Sequence, residues 1–194
     1  MQAPSRPLWT QCGAPILLIG PAYAGKSELA MQALRPDLAA VVLGSAPPEE
    51  PAFSSRLAQL QSLRPPSWET IHAGKHLVQA ATEAAQANKG GQILIDAVNQ
   101  WLAVVLLGDP ESSHSEAVRA AWLDEQITAL IRVLGAFPQT RFVLVSAEVG
   151  ASPAPARLPE RLYRQYVGVT NQRLAAVAQT VVSVQAGIGT VIKG

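Results

Sequence analysis

The stretch "PILLIGPAYAGKSELAMQAL", residues 15–34, constrains the fold more than any other part of the chain. An apolar run ends at Gly20, a glycine-bounded loop follows, and Leu29, Ala33 and Leu34 then fall on one helical face. The order is strand, loop, helix. Every fixed position of the G-x-x-x-x-G-K-[ST] pattern is filled by "GPAYAGKS", in the strand-to-helix context that its mechanism demands. Gly20 and Gly25 let the backbone curl, so that Gly20, Pro21, Ala22, Tyr23, Ala24, Gly25, Lys26 and Ser27 form a candidate cradle for phosphate oxygens. A helix starting near Lys26 turns its positive dipole end toward the same point. Lys26 is placed to reach β- and γ-phosphates and Ser27 to offer its hydroxyl to Mg²⁺. The bland competitor is a plain glycine turn before a helix.

The rest of the chain repeats the alternation. "LAAVVLG", "ILID", "RFVLVSA" and "TVVSVQAGI" are nearly continuous apolar runs, with a short closing "TVIK". Helical spacing fills residues 53–63, 76–88, 97–107, 116–137 and about 160–178, with candidate N-caps at Ser113 or Ser115. Strands that are apolar on both faces need helices on both faces, and 48% hydrophobic against 15% charged residues supplies that burial. The expected fold is α/β and P-loop NTPase-like: a mainly parallel sheet with helices on both faces. It forms one domain over residues 16–194, after a flexible N-terminal extension over 1–15. A net charge of +1 gives no electrostatic reason to expect nucleic acid or an anionic membrane as partner. With one cysteine, Cys12, there is neither an intrachain disulfide nor a cysteine-rich metal site. No signal-peptide pattern or run of 18 uncharged apolar residues is present, so no membrane span is expected and the cytoplasm is the expected compartment.

A nucleoside-triphosphate site also needs a carboxylate at the end of a neighbouring strand to hold the metal or its water. Asp96, closing "ILID", fits that use, and it equally fits an N-cap for the next helix. Glu148, after "FVLVSA", could orient a substrate hydroxyl or a metal water, or anchor its own loop. Arg161 and Arg164, i and i+3 on one helix face, could reach phosphates from the far side of the site or simply face solvent. Trp101 and Trp122 lie in helix-like apolar runs and are expected in the core or an interface.

With these pieces in order, the sequence resembles the adenosylcobinamide kinase/adenosylcobinamide-phosphate guanylyltransferase family of cobalamin biosynthesis nearly end to end. "FVLVSAEVG" looks like its strand and N-E-V-G turn, and "RLYRQYVGVTNQRLAAVAQTVVSVQAGI" like its late helix and closing strand. The P-loop and "ILIDAVNQWLAVVLL" fit the corresponding segments. The resemblance implies a two-step enzyme. First, ATP or GTP with Mg²⁺ phosphorylates the terminal hydroxyl of the aminopropanol arm of adenosylcobinamide. Next, GTP donates GMP to the product through a covalent guanylyl-histidine. It also implies a cobinamide-type corrinoid as partner and a small symmetric homo-oligomer.

The chain departs from the family where that histidine belongs. In "RLAQLQSLRPPSWETIH", Arg56, Arg64, Pro65, Trp68 and Thr70 hold the family frame, but Gln59 stands at the nucleophile's position. An amide cannot form the phosphoramidate. His72 stands at the family's glutamate position, too far along the chain to be an obvious spatial substitute, and His76 and His114 read as surface or capping residues. The loop's arginine-serine pair is Tyr23-Ala24, and the asparagine before Glu148 is Ala147. An aspartate is replaced by Gln165, and the acidic segment is thinned to Glu49 and Glu50. Trp68 could stack on a base or corrin edge, or pack against the preceding helix. Asn171 and Gln172 are expected to pin their helix to the sheet. The expected activity is therefore the kinase step, with guanylyl transfer put in doubt by Gln59. The alternative is a catalytically degenerate nucleotide-binding protein with a regulatory or assembly role.

Overall fold

The computed structural model describes residues 7–45, 58–107, 116–151 and 153–194. Its seven strands are β1 (Ile16–Gly20), β2 (Ala40–Gly44), β3 (Trp68–His72), β4 (Gln92–Asp96), β5 (Arg141–Ala147), β6 (Thr180–Gln185) and β7 (Ile188–Lys193). They form one sheet in the order β3-β2-β4-β5-β1-β6-β7. All pairings are parallel except the β6–β7 hairpin at one edge. The helices are α1 (Lys26–Gln32), α2 (described over 58–62), α3 (Leu77–Ala87), α4 (Val98–Leu107), α5 (Glu116–Ala136) and α6 (Leu158–Val177).

Side chains alternate between the two faces of a strand. Leu17, Val41, Leu43, Ile93, Ile95, Phe142 and Leu144 therefore enter one core with α3, α4, α5 and α6. Their neighbours Ile16, Leu18, Ala40, Val42, Leu94, Val143 and Val145 enter a second core on the opposite face. That alternation is why the strands read as unbroken apolar runs. α5 faces the first core with Leu123, Ile127, Leu130 and Leu134, the spacing of a single helical stripe. The second core is thinner. Short α1 supplies Leu29 and Ala30, and Trp9 and Trp68 fill space that a longer helix would otherwise occupy.

Two features depart from the expectations. The N-terminal segment is tied down from Pro7: Leu8–Gln11 form a 3-10 helix with Trp9 buried. Arg141 fastens this segment by donating to the carbonyls of Thr10 (2.5 Å), Cys12 (3.2 Å) and Ala33 (2.9 Å). β3 was not expected, because "WETIH" follows two prolines and is only half apolar, as befits an edge strand. Its residue Trp68 is buried in the second core and donates to the Leu38 carbonyl at 3.1 Å. Of the two tryptophans expected in the core or an interface, Trp101 is fully buried and Trp122 is 39% exposed on α5. Candidate caps Ser113 and Ser115, with Glu49, Glu50, Arg56 and His114, lie outside the described residues.

Trp101 fills the interior beneath α4 and donates its indole N–H to the Lys75 carbonyl at 3.3 Å. Trp101→Ala should lower unfolding stability by about 3–5 kcal/mol, read as a lower urea midpoint with an unchanged slope.

Candidate functional site

Because β1 to β6 run parallel, their carboxyl ends share one edge, where open α/β sheets bind ligands. An open cavity of about 250 Å³ lies there. Lys26 and Ser27 line it from α1, Tyr23 from the loop, and Asp96 from the end of β4.

The loop owes its shape to its last glycine. Gly25 has φ +91°, a left-handed conformation that glycine adopts at little cost, and an added Cβ would lie 3.2 Å from the Gly187 Cα. The β6–β7 turn braces the loop there, with the Gly187 N–H donating to the Ala24 carbonyl at 2.9 Å. Lys26 and Ser27 are buried at 8% and 7% exposure, so both functional groups are held by the fold rather than by solvent. Lys26 Nζ folds back across the loop and donates to the Pro21 carbonyl at 2.6 Å.

Ser27 Oγ donates to Asp96 Oδ1 at 3.0 Å. The strand bearing Asp96 is not the direct neighbour of β1, since β5 lies between them. Helix α1 reaches over that strand and closes the gap. A hydroxyl beside a carboxylate is the hard-oxygen pair that suits Mg²⁺. Among the described residues no group of three or more His, Cys, Asp or Glu could hold a metal. A cation at Ser27 and Asp96 would thus depend on phosphate oxygens and water for its remaining ligands.

The other candidates lie elsewhere. Glu148 is exposed and accepts from the N–H groups of Gly150 (2.5 Å) and Ala151 (3.2 Å), which anchors its own turn. Arg161 donates to the carbonyls of Pro155 and Ala156, and Arg164 to that of Gly150. Both arginines line a separate open depression, so the chain does not bring them together with Lys26. Asn171 does pin its helix: Nδ2 donates to the Ala147 carbonyl at 2.9 Å. Asn99 Oδ1 accepts from the Ala147 N–H at 3.0 Å, so side chains from two helices of one face hold both backbone groups at the end of β5.

Several lining residues escaped the sequence reading. His72 borders the cavity from the end of β3, along with Gln100 and Asn99 from α4. The signal for His72 was the period-two pattern Trp68, Thr70, His72, legible once "WETIH" is recognised as a strand. On α2 the buried Leu60 lines the cavity, while the adjacent Gln59 is exposed. Arg64 donates from Nη1 to Thr70 Oγ1 at 2.8 Å. Burial lowers its guanidinium below the usual value and the Asp96 carboxylate pulls it back up, so Arg64 lies within electrostatic reach of the site.

A G-x-x-x-x-G-K-S loop between β1 and α1, facing a strand-end carboxylate, defines a P-loop nucleotide-binding α/β domain. More narrowly, the chain belongs to the cobinamide kinase / cobinamide phosphate guanyltransferase family, whose model matches residues 16–192. It is 31% identical over 179 residues to the bifunctional adenosylcobalamin biosynthesis protein CobP of Pseudomonas aeruginosa, covering 92% of this chain and 96% of that one. It is 32% identical over 184 residues to the bifunctional adenosylcobalamin biosynthesis protein CobU of Salmonella typhimurium, covering 92% and 99%. The Escherichia coli CobU is 28% identical over 183 residues, with the same coverage.

Tyr163 on α6 ties this region to pH. Burial raises its phenol above the ordinary 10.0, and a 3.4 Å hydrogen bond from Asn99 offsets part of that rise. Below the unfolded value both states keep the proton. Above it the unfolded chain ionises first, so stability falls as pH rises from about 10 toward the higher folded value. Tyr163→Phe should lose less stability than wild type between about pH 9 and 11, measured as the shift of the urea midpoint.

Proposed function

We propose that this chain transfers the γ-phosphoryl group of ATP or GTP to the terminal hydroxyl on the aminopropanol arm of adenosylcobinamide, and that guanylyl transfer has been lost. The observation that carries the first half is the Ser27–Asp96 hydrogen bond in a cavity also lined by Lys26. Those three residues are what a P-loop kinase needs to position phosphates. Lys26 would neutralise charge on the β- and γ-phosphate oxygens, and the loop N–H groups would hold them in line. Ser27 and Asp96 would hold Mg²⁺, which supplies charge neutralisation at the transferring group. No covalent intermediate is needed, because the phosphoryl group passes through a loose transition state governed by positioning.

A cavity of about 250 Å³ has room for phosphates and the tip of an arm, not for a corrin macrocycle. The ring therefore stays outside, against the cavity mouth or a neighbouring copy in a small homo-oligomer. No helix of the described residues is long and apolar enough to cross a membrane, and we place the reaction in the cytoplasm. The second half of the proposal rests on the exposed Gln59 and its buried neighbour Leu60, neither of which carries a nucleophile. The alternative of binding without turnover draws on Tyr23 and Ala24, since Tyr23 is 81% exposed where the family carries arginine.

With Mg²⁺ and cobinamide, γ-labelled triphosphate should pass its label to the corrinoid, whereas α-labelled GTP should leave none on the protein or the product. Stable α-label on the protein would overturn the lost second step. Triphosphate binding without any transfer would favour the binding-only alternative.

A further inference from the structure

The carboxyl ends of three adjacent strands form one register row. Asp96 on β4 pairs with Gly44 on β2, and Gly44 pairs with His72 on β3. The middle residue has no side chain, so the floor between the carboxylate and the imidazole is open. The imidazole leans toward that gap: a Cβ added at Gly44 would lie 3.7 Å from His72 Nδ1. All three residues line the cavity that holds Lys26 and Ser27. Among the described residues, the ring of His72 makes no hydrogen bond.

The spacing has a chemical meaning. Neighbouring strands lie roughly 4.8 Å apart, so the backbones of Asp96 and His72 are separated by roughly 10 Å. A phosphoryl group gripped at Lys26 and Ser27 occupies the Asp96 end. An attacking oxygen stands about 3 Å from phosphorus in a near-attack geometry. A base sits about 3 Å beyond that oxygen. Those intervals total about 6 Å, so both fit within the row between the Asp96 end and the imidazole.

We propose that His72 is the catalytic base of the phosphoryl transfer, a role that rests on the kinase reading above. Its imidazole takes the proton of the acceptor hydroxyl as that oxygen forms the new bond to the γ-phosphorus. The bond from the γ-phosphorus to the bridging oxygen breaks, and its electron pair leaves on the nucleoside diphosphate. The other ionisable groups that face the ring are differently engaged. Asp96 accepts from Ser27 and Lys26 bonds to the Pro21 carbonyl. Tyr23 lies across the cavity on the loop, and Arg64 is fastened to Thr70, two residues back on the same strand face. Histidine is the side chain suited to proton exchange near neutral pH.

The test compares wild type with His72→Gln and His72→Ala, using γ-labelled triphosphate and cobinamide across pH, with binding of a non-hydrolysable triphosphate analogue as the fold control. The variants should lose about 10²-fold or more in kcat, while analogue affinity stays within about threefold. The acidic limb of the wild-type kcat/KM profile should disappear in both, and added imidazole should restore part of the rate to His72→Ala. Variants that keep kcat within about threefold and retain that limb would overturn the proposal. Loss of analogue binding together with turnover would overturn it too, by making His72 a structural residue. A wild type that never labels cobinamide would bring down the kinase reading and this role with it, and it is distinguished by silence in all three proteins.

Discussion

Burial of a parallel sheet on both faces is the constraint on which everything else in this chain depends. Strands that carry Leu, Ile and Val toward helices on either side leave no room for polar chemistry along their length. The carboxyl edge is what remains, and there the alternation of apolar residues gives way to Gly20, Gly44, His72 and Asp96. The uneven covering matters as well. Among the described residues, one core draws on four helices, while the other draws on short α1 backed by Trp9 and Trp68. The same small helix must therefore close a core and present Lys26 and Ser27 to the edge.

Much of this was legible in the residues. The loop, its flanking strand and helix, and the carboxylate at Asp96 all follow from local pattern, because each is set by neighbours in sequence. What escaped was set by partners distant in sequence. Edge strand β3 carries only half a strand's apolar content, and its pairing with β2 rather than its composition makes it a strand. Without β3, His72 has no address in the fold, and its distance along the chain from Gln59 places it away from the site. Glu148, Arg161 and Arg164 show the converse. Their residue types suit a phosphate site, but nearby backbone groups take up their side chains in anchoring loops.

The departures from the family pattern fall on particular surfaces. Lys26, Ser27 and Asp96 are buried or half-buried and mutually supported, whereas Gln59, Tyr23 and Gln165 are exposed. The candidate phosphate-binding groups are thus held by the fold, and most of the altered groups lie where substitutions cost the fold little. Two altered positions are exceptions, being buried: Ala24 in the loop, and Ala147 at the end of β5. The Ala147 backbone is still clamped by Asn99 and Asn171, so the strand end keeps its position even though the side chain there is a methyl group.

The proposed kinase role requires that the loop grip a triphosphate through Lys26. Calorimetric titration of ATP and GTP with Mg²⁺ into wild type and Lys26→Ala tests it most directly. Binding to wild type should be saturable and should weaken by about tenfold or more, at least about 1.4 kcal/mol, in the variant. Equal affinity in the two proteins, or no binding to wild type, would contradict it.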